Sequence, residues 1–263
     1  MALVLVLARV ILTCASGAVV AVDTGMDWAA AVLGAPEGAS VVFAPGTYEG
    51  CATGGLEPAL DVSLVGSAGA AITIIDCKGS GRHLRVRVNI SVIVQGLTLR
   101  GGRADGGSGG CALADGGAVL SFQDSIVSNC NAAHGGAVSV SGGGVLNLSG
   151  TNITSSSAAN DGGAIHADNS TVALSRAQLR GNTAGGAGGA LCAVGGSRVS
   201  LDGGDVRGNT AGGDGGGLAV LEASTLTVLF GTPICPDLPR VALLPNTKPS
   251  TPFGRPPDLD HNP

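Results

Sequence analysis

A Gly-Gly pair followed by a small residue and an aliphatic one returns along this chain at a nearly constant interval, and that period limits the fold more than any other feature. The pairs open at Gly109, Gly135, Gly162, Gly188 and Gly215, and read GGCA, GGAV, GGAI, GGAL and GGGL. Two further landmarks keep the interval. Alternating aliphatics stand at Leu146/Leu148, Val172/Leu174, Val199/Leu201 and Leu226/Val228. An aliphatic-x-x-Asn unit ends at Asn129, Asn182 and Asn209, with Ile153-Thr-Ser-Ser156 at that place in the coil opening at Gly135. Landmarks held in one period of this length mark a repeat architecture.

The unit reads as two or three strands of three to five residues with period-two alternation, separated by Gly, Ser, Asn and Asp turns. After each Gly-Gly, Val138/Val140, Ile165/Ala167, Leu191/Ala193 and Leu218/Val220 point one way, and Ser139, His166, Cys192 and Ala219 the other. One such unit cannot enclose a core, so it must stack on copies of itself. Strands of one direction stacked at ~4.8 Å make parallel sheets. A helix-connected parallel sheet would need long helix-patterned runs, which the repeats lack. The expectation is an all-β, right-handed parallel β-helix: a single-stranded solenoid with coils of about 26 residues, spanning 22–231, with its regular repeats at 109–231. Looser strand patterns precede the repeats, at Val41–Tyr48, Val62–Gly66, Ile72–Cys77 and Ile90–Leu99. Asp27 N-caps an apolar run through Leu33 that reads as a short capping helix over the N-terminal end, where an open coil would expose a sheet edge. Residues 232–263 are Pro-rich without periodicity and read as a disordered tail.

With 46 Gly and six aromatic residues among 263, but 44% hydrophobic residues, the core has to be built from Val, Leu, Ile and Ala. A net charge of −5 without a basic stripe argues against a nucleic-acid partner. Arg82, Arg85 and Arg87 are the one local positive patch and read as a solvated face. Residues 1–21 look like a secretory leader, an apolar run ending in small residues, with cleavage after Ala18 or Ala21. Arg9 lies inside that run. No later segment is apolar enough to span a bilayer, so the mature chain is expected to have no membrane span. Loss of the leader removes Cys14 and leaves Cys51, Cys77, Cys111, Cys130, Cys192 and Cys235, an even set compatible with disulfides in any of 15 pairings. No CxxC or Cys/His spacing indicates a metal, and no cofactor is expected.

Equivalent residues should lie above one another. Asn129, Ser155 or Ser156, Asn182 and Asn209 then read as a side-chain ladder, each bond contributing roughly 0.5–1.5 kcal/mol. Four N-x-[ST] sequons, at Asn89, Asn147, Asn152 and Asn169, are candidate glycosylation sites in a eukaryotic host.

The repeated GGA[VIL] with aliphatic-x-x-Asn resembles the polymorphic outer membrane protein repeat of chlamydial surface proteins, whose signature is GGAI with FxxN; here Ile, Leu or Val replaces the Phe. FAPGTYEG, ITIIDCKGSGRHL and VQGLTLRGG look like entry coils of the wider pectin-lyase-like β-helix superfamily. The resemblance covers roughly residues 27–230. It implies an exported passenger with an adhesive role, although the C-terminal barrel of that family has no counterpart here. It also implies an alternative, a polysaccharide lyase or glycoside hydrolase, since the superfamily includes such enzymes. For catalysis the one suggestive column is the residue before each Gly-Gly: Ser108, His134, Asp161, Ala187 and Asp214. Two rungs, ~9.6 Å, would separate Asp161 from Asp214, against ~6.5–9.5 Å for an inverting carboxylate pair. The bland reading is Asx-type turn residues before glycine, and the lack of aromatics removes the platforms on which sugars stack. The sequence therefore favours a non-catalytic, secreted or surface-displayed protein that binds surface glycans or proteins or serves as a stalk. A fragment of a larger autotransporter-like repeat protein is the further alternative. Oligomeric state is left open.

Overall fold

A computed structural model describes residues 17–229 and the two dipeptide strands Val10–Ile11 and Ala242–Leu243. Most of the expected leader and tail lies outside these residues. The chain winds as a parallel β-solenoid whose regular coils have the length that the Gly-Gly period sets. A regular coil has four strands rather than two or three. In the coil opening at Gly109 they are Ala112–Ala114, Val119–Gln123, Ile126–Ser128 and Asn131–His134, and the next coil resumes at Val138–Ser141. Each strand pairs in parallel with its equivalent one coil on, as Leu120 with Leu146, Val172 and Val199 in succession. Four sheets of ten, seven, seven and five strands result. The fourth strand is carried by Ser-Ala and Thr-Ala pairs at Ser157–Ala158, Thr183–Ala184 and Thr210–Ala211, too short to show an alternation in the sequence.

The inward columns are continuous and dry. Val92, Leu120, Leu146, Val172 and Val199 form one; Leu99, Val127, Ile153 and Leu179 another; each residue is at most 2% exposed. Full burial of such side chains is worth ~1.5–3 kcal/mol apiece, so the solenoid is held chiefly by aliphatic stacking. The Gly-Gly-Ala unit has a steric cause. At Gly135, φ is +58°, and an added Cβ would stand 2.3 Å from the Val138 carbonyl oxygen. At Gly136 it would meet the Gly163 carbonyl oxygen, 2.3 Å away, and the backbone of Ser157. The next residue points inward, and Ala137, Ala164 and Ala190 are fully buried.

The entry coils are unequal. Ala39 pairs with Val62, Val62 with Val92 and Ser91 with Val119, so the first of these coils is shorter than the regular ones and the next two are longer. The helix Trp28–Leu33 begins at Asp27, whose side chain accepts from Ala30 N–H, and buries Trp28 and Val32 in the common core. Trp28, Phe43 and Tyr48 pack together, with ring centroids 6.4 and 5.1 Å apart, so half of the chain's aromatic residues gather in the first coils. Val19–Val22 joins the ten-stranded sheet parallel to Ala39–Phe43, with Val20 and Val22 buried. The expected leader thus overlaps a strand of the solenoid. No helix among the described residues is long and apolar enough to cross a membrane.

Candidate binding groove

The strand after each Gly-Gly, with Leu84–Val86 before the first of them, has as the column opposite its core residues Arg85, Leu113, Ser139, His166, Cys192 and Ala219, in register. Yet Ser139, Cys192 and Ala219 are at most 2% exposed. The Gly-Gly loops close on this face: the position of a Gly135 Cβ lies 3.0 Å from His166 N. Between loops and strand ends runs a groove of about 430 Å³ lined by Arg85, Ser108, Asp115, Ser139, His166 and Asp168, among others.

Of the column before the Gly-Gly pairs, Ser108 lines this groove, and the rest of the column continues along the rungs beside it. Ser108 pairs with His134, and the N–H groups of Gly135 and Gly188 donate to the carbonyls of Asp161 and Asp214. His134 Nδ1 stands 3.6 Å from Asp161 Oδ2, and its ring lies 5.0 Å from that of His166. Asn160 Nδ2 is 3.1 Å from His134 Nε2. With the amide as donor, Nε2 accepts and Nδ1 carries the proton towards Asp161. Asp161 Oδ1 is already engaged by Ala187 N–H at 2.7 Å. Asp214 is exposed, separated from Asp161 by the Ala187 rung, and its carboxylate makes no ion pair among the described residues. Burial, and after it the neighbouring His134, lower the His166 pKa. Burial, with Asp161 and Glu222 adding to it, pushes the Cys192 thiol up to about 12, so it is no nucleophile at neutral pH. The column holds one imidazole–carboxylate pair rather than two facing carboxylates.

Of the arginine cluster, Arg87 is exposed as a solvated face would have it, Arg85 is half-buried and Arg82 is buried. Arg82 is 7% exposed and straps two loops, donating to the carbonyls of Gly109, Gly54 and Ser108 at 2.6, 2.8 and 2.6 Å. Arg85 lies 3.5 Å from both Glu57 and Asp115, and Arg87 3.0 Å from Glu57.

The amide ladder lies one residue away from Asn129. Val127, Ile153, Leu179 and Val206 share a rung position, so the residue three further on is Cys130, Ser156, Asn182 or Asn209. Asn209 Oδ1 accepts from Asn182 N–H at 2.9 Å, Asn182 Oδ1 from Ser156 N–H at 3.0 Å, and Ser156 Oγ from Cys130 N–H at 3.4 Å. Asn129 belongs instead to the exposed left-handed corner, with φ +54°, below Ser155, Gly181 and Gly208. Its aliphatic-x-x-Asn match is counted from Ile126, which aligns with Asn152 and Gln178 rather than with Leu179. A second ladder escaped the sequence reading: Ser170 N–H donates to Ser197 Oγ, and Ser197 N–H to Ser224 Oγ. Its signal was the serine recurring at the repeat interval ahead of the long strand.

Of the sequons, Asn89 and Asn169 are exposed at positive φ in the turn before the ten-stranded sheet. Asn147 and Asn152 are half-buried, and Asn147 Nδ2 donates to Ser121 Oγ at 3.2 Å. Two disulfides join Cys51 to Cys77 and Cys111 to Cys130; among the described residues Cys192 is free and buried. Cys14 and Cys235 lie outside the described residues. Compared with protein-family models, with curated proteins and with solved structures, the chain gives no match to any of the three.

Proposed function

We propose that this chain is a secreted or surface-displayed β-solenoid that binds an extended, hydroxyl-rich polymer, a surface glycan, along its axial groove. One observation carries the reading. The groove is lined by the Arg85 guanidinium, the hydroxyls of Ser108, Ser139 and Ser141 and the carboxylates of Asp115 and Asp168, polar groups that successive rungs present at ~4.8 Å intervals. A polyhydroxylated ligand both donates to such carboxylates and accepts from such guanidinium and hydroxyl groups. The two disulfides and the resemblance of the GGA[VIL] unit to exported passenger repeats support display outside the cell. Leader cleavage after Ala18 fits this reading, because it leaves the strand Val19–Val22 whole.

The test is retention of the full chain on arrayed matrix and cell-surface glycans, repeated with His166→Ala and Asp168→Ala. Retention weakened at least tenfold by either substitution supports the groove. Absence of retention, or retention indifferent to both, removes it. The His134–Asp161 pair favours a second reading, a polysaccharide-active enzyme. Turnover of pectin or alginate that Asp161→Ala abolishes would establish that instead.

A further inference from the structure

The entry coils carry a second constellation, separate from the groove. Cys51 and Cys77 follow the strands Gly46–Glu49 and Thr73–Asp76, at the turn where the chain leaves the seven-stranded sheet that also holds Ile126–Ser128. His83 precedes Leu84–Val86 and is 1% exposed. One donor atom from each of the three residues lies within 4.8 Å of the other two. His83 Nε2 is 2.9 Å from the Ile75 carbonyl oxygen. A carbonyl only accepts, so Nε2 bears the hydrogen and Nδ1 is a bare lone pair. That Nδ1 is buried and has no hydrogen-bond partner. In later coils the same position is Ala137, Ala164 or Ala190. The fold therefore accepts a methyl there, and an imidazole with an unpaired acceptor costs ~1–3 kcal/mol that alanine would avoid.

We propose that Cys51, Cys77 and His83 form a redox-gated metal site, which binds one Zn²⁺-class cation once the Cys51–Cys77 disulfide is reduced. A thiol or phosphine reductant supplies two electrons and ends as disulfide or phosphine oxide, while the S–S bond becomes two thiols. Binding of the cation then releases two protons and leaves two thiolates and His83 Nδ1 as ligands. Two thiolates and one neutral imidazole suit a tetrahedral thiophilic ion. A ligand histidine usually has its other N–H held by a carbonyl or carboxylate, as Ile75 holds this one. The fourth position falls to water, with access past the half-buried Cys51. Oxidised, the same three residues make a stapled corner without the metal.

The experiment uses the full chain, reduced with a phosphine, desalted anaerobically and titrated with Co²⁺ and then Zn²⁺. The expected result is a thiolate-to-cobalt charge-transfer band that saturates at one equivalent and is displaced by Zn²⁺. His83→Ala, which installs the residue of the later coils, should weaken binding at least tenfold. Cys51→Ser with Cys77→Ser should remove the band, and Cys192→Ala should leave it unchanged. If reduction unfolds the chain, Zn²⁺ should restore the β-sheet circular dichroism of the wild type and not of His83→Ala. The proposal is overturned by the lack of a band in a folded reduced chain, by no restoration in an unfolded one, by equal affinity in His83→Ala, or by a band that survives both serine substitutions.

Discussion

The turn that follows the sheet holding Ile126–Ser128 is closed covalently in the entry coils and the first regular coil and by hydrogen bonds in the later ones. Early on, Cys51–Cys77 ties two successive coils and Cys111–Cys130 ties two sides of one coil. Later, Ser156, Asn182 and Asn209 bond from rung to rung. What stands opposite changes too. Cys111 occupies the column of His83, Ala137, Ala164 and Ala190, and it bonds to Cys130 in the ladder column, so these two columns face each other. A ladder needs equal coils, because only then does each side chain find its equivalent one rung away. The regular coils keep one length to within a single residue; the entry coils, one short and two long, cannot hold that register. A disulfide needs just two residues to meet, and it tolerates the irregularity.

The largest break in this comparison should come from removing the crosslinks. Chain-entropy scaling gives roughly 3–3.5 kcal/mol for each loop, with separations of 26 and 19 residues. With Cys111→Ala and Cys130→Ala together, hydrogen exchange should rise in the entry coils and change little beyond about Asn182, since solenoid stability is nearest-neighbour in character. Uniform loss of protection would show that the two regions unfold as one. The next effect is acid sensitivity confined to the entry coils. Burial pushes His83 down to about 4, so in the disulfide-bonded protein it folds as the neutral ring. As pH falls, the unfolded chain takes up a proton first, near its ordinary value of ~6.5. Stability is therefore full above that value and is lost between it and about 4, by up to ~3 kcal/mol on linkage. Urea melts at stepped pH should show this slope in the wild type and a flatter one in His83→Ala. Equal slopes would mean that His83 is not the group responsible.

The same contrast explains what could be read from the sequence. The Gly-Gly period and the alternating aliphatics announced parallel coils because backbone collisions at Gly136 and the depth of the core at Leu146 or Val172 recur unchanged in every turn. The groove, the Arg82 strap and the His83 cluster depend on residues that occur once, and no period points to them. Outward alternation at Ser139 and Cys192 suggested exposure, whereas the Gly-Gly loops cover both. The disulfide pairing was open for a related reason: entry coils of unequal length hide which cysteines share a corner.

Within the ladder, Asn182 should matter most. Asn182→Ala removes the acceptor of Ser156 N–H and the donor to the Ile153 carbonyl, 3.1 Å away, and leaves both buried. A loss of ~2 kcal/mol is expected, read as a lower urea midpoint with unchanged slope. Asn209→Ala should cost less, since Asn209 is only half-buried. The smallest effect separates ladder from corner. Asn129 is exposed at φ +54° and makes no side-chain bond to the rungs above it, where Gly181 and Gly208 hold the same conformation. Asn129→Gly should therefore stay within about 0.5 kcal/mol of wild type, the range usual for surface positions. Asn182→Gly should cost at least as much as Asn182→Ala, because glycine also adds freedom to the unfolded chain. Matching losses at 129 and 182 would put Asn129 back into the ladder and require a corner wound one residue out of the register seen here.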